Sequence, residues 1–221
     1  MVASIPNDVF QFSTWAAVQK GFNTGQPRAA DLTSHGTDGI GVFEDGRLMA
    51  LVDADAYAIS GNGNLSLARL QERLCFAMVT IFQPMRIIKP RESGISMKGL
   101  EEKLSSVEKL PGVGGQNSVL PLKIKGTFVG LKLEGPNIPS NYQDGIKGTM
   151  FGFKIPAWME GISGPELHFH FVSEGSGRDG GLGGRVVSFE AVKDGAVFVG
   201  KCGRFHLGFP QGEDWEAFQL A

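Results

Sequence analysis

Short apolar runs broken by glycine-centred turns recur through this chain, and they restrict it to a β-rich architecture. Glycine occurs 32 times in 221 residues without a fixed period, which suits many tight turns rather than a fibre. Asp45-Gly46 lies between the apolar runs 40–43 and 48–52, and Asp-Gly in that setting predicts a hairpin. Asp194-Gly195 predicts another. Further strands are expected at 57–60, 76–82, 119–125, 127–133, 149–155, 167–172, 185–190, 196–199 and 204–207, with a turn at 61–64. Helices are few. Thr14 is placed to cap a short helix through Lys20, and Pro27 opens another through Thr33. Leu100, Leu104, Val107 and Leu110 recur at helical spacing and predict an amphipathic helix over 96–110. Pro111-Gly-Val-Gly-Gly115 ends it as a linker. Six glycines in the ten residues 175–184 predict a flexible loop at one end of a sheet. The expected fold class is α+β, mostly antiparallel or mixed β-sheet, in two β-rich subdomains at 1–112 and 113–221.

Charge and cysteine content narrow the function classes. Lysine and arginine total 21 against 23 acidic residues, a formal net charge of −2. No basic block or stripe is present, so a dedicated nucleic-acid binder is not expected. No apolar stretch reaches the length of a membrane span. The start, Met1 to Asp8, lacks the charged and apolar regions of a signal peptide, and a soluble, cytoplasmic protein is the expectation. Cys75 and Cys202 each sit in an apolar run and are expected as free thiols rather than a bridge. No phosphate loop and no Gly-x-Ser-x-Gly elbow occurs.

The sharpest chemical signal is Leu167-His168-Phe169-His170-Phe171. Side chains alternate across a strand, so both histidines share one face and the apolar residues the other. Two imidazoles on one face suit one metal ion. They equally suit a polar cavity in which they bond other side chains.

A series of segments carries a family resemblance. In order they are Phe10-Gln-Phe-Ser-Thr14, His35-Gly-Thr-Asp-Gly-Ile-Gly-Val-Phe43, Asp45-Gly46, Phe82-Gln-Pro84, Gly126-Thr-Phe128, Gly148-Thr-Met-Phe-Gly-Phe153 with Pro156, and the His-x-His strand with Gly183-Gly184. Together they resemble the α-acetolactate decarboxylase family over nearly the whole chain. The resemblance implies a two-subdomain fold with a site in the cleft, dimers, and a zinc ion on three histidines. That zinc acts as a Lewis acid for a 2-hydroxy-3-oxo acid. It also implies a glutamate from the N-terminal half, an arginine from the middle and a glutamate near the C-terminus.

Carried over residue by residue, the family site is altered. The first two histidines match His168 and His170. The third position, after Gly183-Gly184, is Arg185, a cation without a lone pair. The N-terminal glutamate is replaced by Arg47, the middle arginine by Glu134, and nothing matches the tail glutamate. Arg47 and Glu134 are expected to face one cavity as an exchanged charge pair. His206 is the candidate to replace the third ligand, ahead of His35, Asp179, Glu190 and Cys202.

The expected catalytic set is therefore His168, His170, Arg185, Arg47 and Glu134, with both arginines binding substrate. The expected activity is that of a metal-independent lyase, isomerase or cyclase acting on a small oxygenated metabolite, β-keto, polyketide-like or terpenoid-like. No cofactor is expected. The partner is a small molecule, with neither nucleic acid nor membrane, and a homodimer is the implied assembly. Two alternatives stand beside this one. The first is a zinc-dependent acetolactate decarboxylase using His168, His170 and His206. The second is a non-catalytic small-molecule-binding protein.

Overall fold

The computed structural model describes residues 7–134, 144–175 and 179–220, without the side chains of residues 179 and 180. The first half builds β1 (Val9–Phe12), α1 (Trp15–Gln19), α2 (Ala29–Leu32), β2 (Asp38–Phe43), β3 (Leu48–Val52), β4 (Asp55–Ile59), β5 (Asn64–Leu67), β6 (Leu74–Thr80), β7 (Arg86–Ile88) and α3 (Met97–Leu104). The second builds β8 (Leu120–Val129), β9 (Lys132–Glu134), β10 (Ile146–Lys154), α4 (Glu160–Ser163), β11 (Leu167–Ser173), β12 (Asp179–Ser188), β13 (Ala191–Val199), β14 (Phe205–Gly208) and α5 (Glu213–Glu216). The fold is mostly β, mixed but chiefly antiparallel, with short helices, as expected.

The strands hydrogen-bond in the order β14-β1-β6-β2-β3-β4-β5-β12-β11-β10-β8-β13-β7, and β9 pairs with β12. This path folds into layers. Ile40, Val42, Ala50, Phe76 and Met78 of the first half pack against Phe151, Phe153 and Val172 of the second in one shared core. Behind the first half, Ala29 and Leu32 of α2 cover Phe43, Met49, Leu51 and Val79. Behind the second, Leu100 and Leu104 of α3 cover Ile124, Phe128, Phe169 and Phe171. The halves exchange elements. β7 adds to β13 antiparallel, while β14 returns to lie parallel to β1.

Several boundaries differ from the sequence reading. The helix expected over 96–110 stops at Leu104. Ser106 Oγ accepts the amide of Lys109 at 3.1 Å, a local bond that competes with helix continuation. Leu110 stays buried but Val107 is exposed. The strands expected at 119–125 and 127–133 are one long β8 followed by the short β9. Asp194-Gly195 is not a hairpin but an irregularity inside β13, where the register against β8 shifts between Lys193 and Ala196. A Cβ on Gly195 would lie 1.8 Å from the Lys125 carbonyl oxygen, so the chains approach too closely there for any side chain. The loop expected over 175–184 gives way to β12 from Asp179 onward, and residues 176–178 lie outside the described residues. Cys75 is buried and Cys202 half-buried, both free.

Candidate functional site

β11 runs between β10 and β12. His168 pairs with Phe153, His170 with Phe151 on one side, and His170 with Arg185 on the other. The alternation of the strand puts Phe169 and Phe171 into the core beneath α3. Both imidazoles face the first half of the chain. They are almost wholly buried, at 2% and 1% exposure, and their rings stand 5.5 Å apart at 77°.

The hydrogen bonds fix the tautomers. His170 Nδ1 lies 2.7 Å from the Met49 carbonyl oxygen. A carbonyl only accepts, so Nδ1 carries the proton and Nε2 keeps its lone pair. His168 Nδ1 makes a longer contact, 3.4 Å, to the Ser163 carbonyl oxygen at the end of α4. Gly164 permits that approach, since a Cβ there would lie 2.6 Å from His168 Nδ1. Both Nε2 atoms are buried and have no partner among the described residues. Two buried acceptors left unused at one place are costly unless a ligand uses them.

Burial holds both rings neutral. It pushes His170 down to about 4, with Arg185 pushing further and Met49 and Glu134 opposing. His168 lies well below its usual range, from burial and then from the neighbouring His170. The unfolded chain therefore binds protons near pH 6.5 that the folded chain refuses until about pH 4. Stability is lost as pH falls through that window, by roughly 2 kcal/mol for His170 between pH 6.5 and 5, with His168 acting in the same direction. Urea unfolding midpoints are expected to drop from pH 7 to pH 5, and the His170→Gln chain to drop less. Equal losses in the two proteins would refute neutral burial.

Arg185 completes the cluster. Its guanidinium lies 5.9 Å over the Trp15 ring, and Nε donates to Glu134 Oε2. β9 supplies that glutamate, because Glu134 is the cross-strand neighbour of Arg185. Trp15 also stands edge-on to His168 at 4.7 Å. It links the histidines to the arginine, and no motif spacing pointed to it. Its only sequence signal is a large aromatic in the first turn of a helix capped by Thr14.

The other expected residues lie elsewhere. Arg47 bonds Asp45 Oδ2 at 2.7 Å and Glu72 Oε1 at 2.7 Å and rests over the Phe43 ring at 5.1 Å. The pairing expected between Arg47 and Glu134 is therefore not made, since each has a different partner. The physical reason is the alternation of the hairpin. Arg47 packs over Phe43, whose ring belongs to the core under α2 on the far side of the sheet from the histidines. His206 on β14 is half-exposed and 3.9 Å from Asp8, so it is not brought to His168 and His170. His35 is exposed and stacks on Phe10 at 4.2 Å. Cys202 lines a separate cavity, Glu190 packs at Gly130, and the side chain of Asp179 lies outside the described residues.

This geometry was compared with known proteins. The family model for alpha-acetolactate decarboxylase matches residues 9–140 and 136–221. This chain belongs to that family. The alpha-acetolactate decarboxylase of Lactococcus lactis subsp. cremoris (strain MG1363) is 28% identical over 218 residues, spanning 91% of this chain and 87% of that protein. That of Bacillus subtilis (strain 168) is 25% identical, spanning 95% and 84%. The crystal structure of alpha-acetolactate decarboxylase from Bacillus subtilis strain 168 superposes with a TM-score of 0.82 at 22% identity, covering 96% of this chain and 93% of that one. A Staphylococcus aureus protein of unknown function, described as similar to alpha-acetolactate decarboxylase, gives 0.79 at 20% identity, covering 96% and 94%. These superpositions establish the fold. Among the described residues, no helix is long and apolar enough to cross a membrane.

The zinc implied by the family resemblance can be tested against the donors. Two Nε2 lone pairs are available, and a catalytic zinc takes three protein ligands and an open position. The residue beside His170 is a guanidinium, and no cluster of three His, Cys, Asp or Glu side chains converges among the described residues. Among the described residues the donor set falls one ligand short of such a site.

Proposed function

We propose that this chain is a metal-independent enzyme of the alpha-acetolactate decarboxylase family, transferring protons next to a carbonyl on a small oxygenated metabolite. The observation that carries this reading is the pair of neutral, buried imidazoles with free Nε2 atoms, on a strand where Arg185 is the cross-strand neighbour of His170. A neutral imidazole accepts a proton from the carbon next to a carbonyl. The C–H electron pair moves onto the carbonyl oxygen, and Arg185 meets the resulting enolate with fixed N–H donors. The imidazolium then returns its proton to a different carbon or oxygen, which completes an isomerisation; where the enolate carbon instead attacks a second carbonyl and closes a ring, the imidazolium protonates the alkoxide so formed. Glu134 holds the guanidinium in place and offsets the disfavour that Arg185 imposes on an imidazolium at His170. Trp15 packs against both the Arg185 guanidinium and His168 and so helps to fix their positions.

Elemental analysis of untagged protein and turnover of a panel of 2-hydroxy-3-oxo acids and β-keto acids test this together. Zinc is expected far below one per chain. Arg185→Gln and His170→Gln are each expected to lower turnover by about a hundredfold, with unfolding midpoints showing both variants folded. About one zinc per chain, lost in His170→Gln, would overturn the metal-free reading. Saturable binding without turnover of any compound would favour the binding-protein alternative.

A further inference from the structure

A cavity of about 460 Å³ is lined by Met159, by Ile162 of α4 and by Phe205 and Leu207 of β14. It contains none of the candidate catalytic residues. Val119 also lines it, and Val119 and Met159 belong to the shared core between the two halves. Trp158 also lines the cavity and is 67% exposed. The size lies within the range of small-molecule sites.

Among the described residues, Lys201 is the sole charged one lining the cavity, and Asn117 and Ser118 add polar groups. Among those residues its ammonium makes one long bond, 3.4 Å to the Gly112 carbonyl oxygen, which leaves donors for a ligand. Cys202 lies beside it, but its thiol donates to the Arg204 carbonyl oxygen at 2.9 Å. Burial raises that thiol to about 11, so it serves as wall and not as nucleophile.

We propose that this cavity is a second binding site, for a small amphipathic carboxylate whose chain lies among Met159, Ile162, Phe205 and Leu207 and whose headgroup meets Lys201 Nζ. An apolar pocket with one cation at its edge is complementary to a body and head of that kind. The site is separate from the reaction proposed above. It shares with it only α4, which supplies Ile162 to the cavity and the Ser163 carbonyl to His168.

Calorimetric titration of the whole chain with octanoate, and with 1-octanol as an uncharged match, tests the site. Octanoate is expected to bind saturably at one site. Lys201→Gln is expected to weaken octanoate about fivefold and leave octanol unchanged, the size of one part-exposed charge contact. Ile162→Trp fills the cavity and is expected to abolish both. His170→Gln is expected to bind octanoate as the parent does. The proposal is overturned by an absence of saturable binding, by equal octanoate affinity in the parent and Lys201→Gln, or by loss of binding in a folded His170→Gln, which would place the ligand at the histidines.

Discussion

Arg185→His is expected to take up about one zinc per chain, where the parent holds far less. Position 185 is the direct cross-strand neighbour of His170, and side chains at such positions start about 5 Å apart. His168 and His170 already hold the tautomer a metal ligand needs, with Nδ1 turned to backbone carbonyls and Nε2 free. That outer-shell arrangement normally fixes the orientation of metal-bound imidazoles. A third imidazole would supply the missing lone pair, and loss of the guanidinium would remove a cation that repels a dication. Elemental analysis, with cobalt absorption as a geometric readout, checks this. Arg185→Gln removes the charge without supplying an imidazole and is expected to stay metal-poor. A folded Arg185→His protein without metal would show that the two free Nε2 atoms do not converge on one point.

Lys123→Met is expected to destabilise the protein by about 3–5 kcal/mol. Lys123 on β8 bonds Asp38 of β2 at 2.5 Å, and both side chains are nearly inaccessible, at 8% and 3%. Asp38 also accepts from the Thr37 hydroxyl at 2.9 Å and the Asp53 amide at 3.2 Å. Asp53 bonds Lys123 at 2.7 Å and Lys125 at 3.0 Å, from a backbone held at φ 52°. Removing the lysine strands a buried carboxylate, and that penalty exceeds any gain from the methionine. The double variant Asp38→Asn with Lys123→Met leaves no charge unpaired and is expected to recover much of the loss. Urea unfolding measures both. A loss under about 1 kcal/mol for the single variant would mean that water reaches Asp38.

The sequence made some parts of this site legible and concealed others for definite reasons. Alternation along 167–171 placed the two histidines together, because a strand leaves no other arrangement. The family resemblance, which implies a ligand position after Gly183-Gly184, singled out Arg185 beside them. The true partners of Arg47 were not legible, and the pairing expected with Glu134 is not made. Arg47 borders a turn, where nearby partners decide direction, and Glu72 is 25 residues away in sequence. The contacts of Trp15 and of the Met49 carbonyl left no motif, since one is a lone aromatic and the other is backbone. The short strands β1, β5 and β7 were missed because three or four residues carry too little periodicity. Val107 continued the helical pattern past the point where Ser106 had already broken the helix, so pattern and backbone disagreed.

The lodging of β14 against β1 has a consequence for how the chain is made. β1 leaves the ribosome well before β14, yet one of its two edges is covered by residues 205–208. Domains usually consolidate from the N-terminus as they emerge. Here the edge along Val9–Phe12 stays open until residues 205–208 have been made, a length of unpaired backbone that invites a wrong partner. Only the arrival of β14 closes it, so completion of the first half waits on synthesis of β8 to β13.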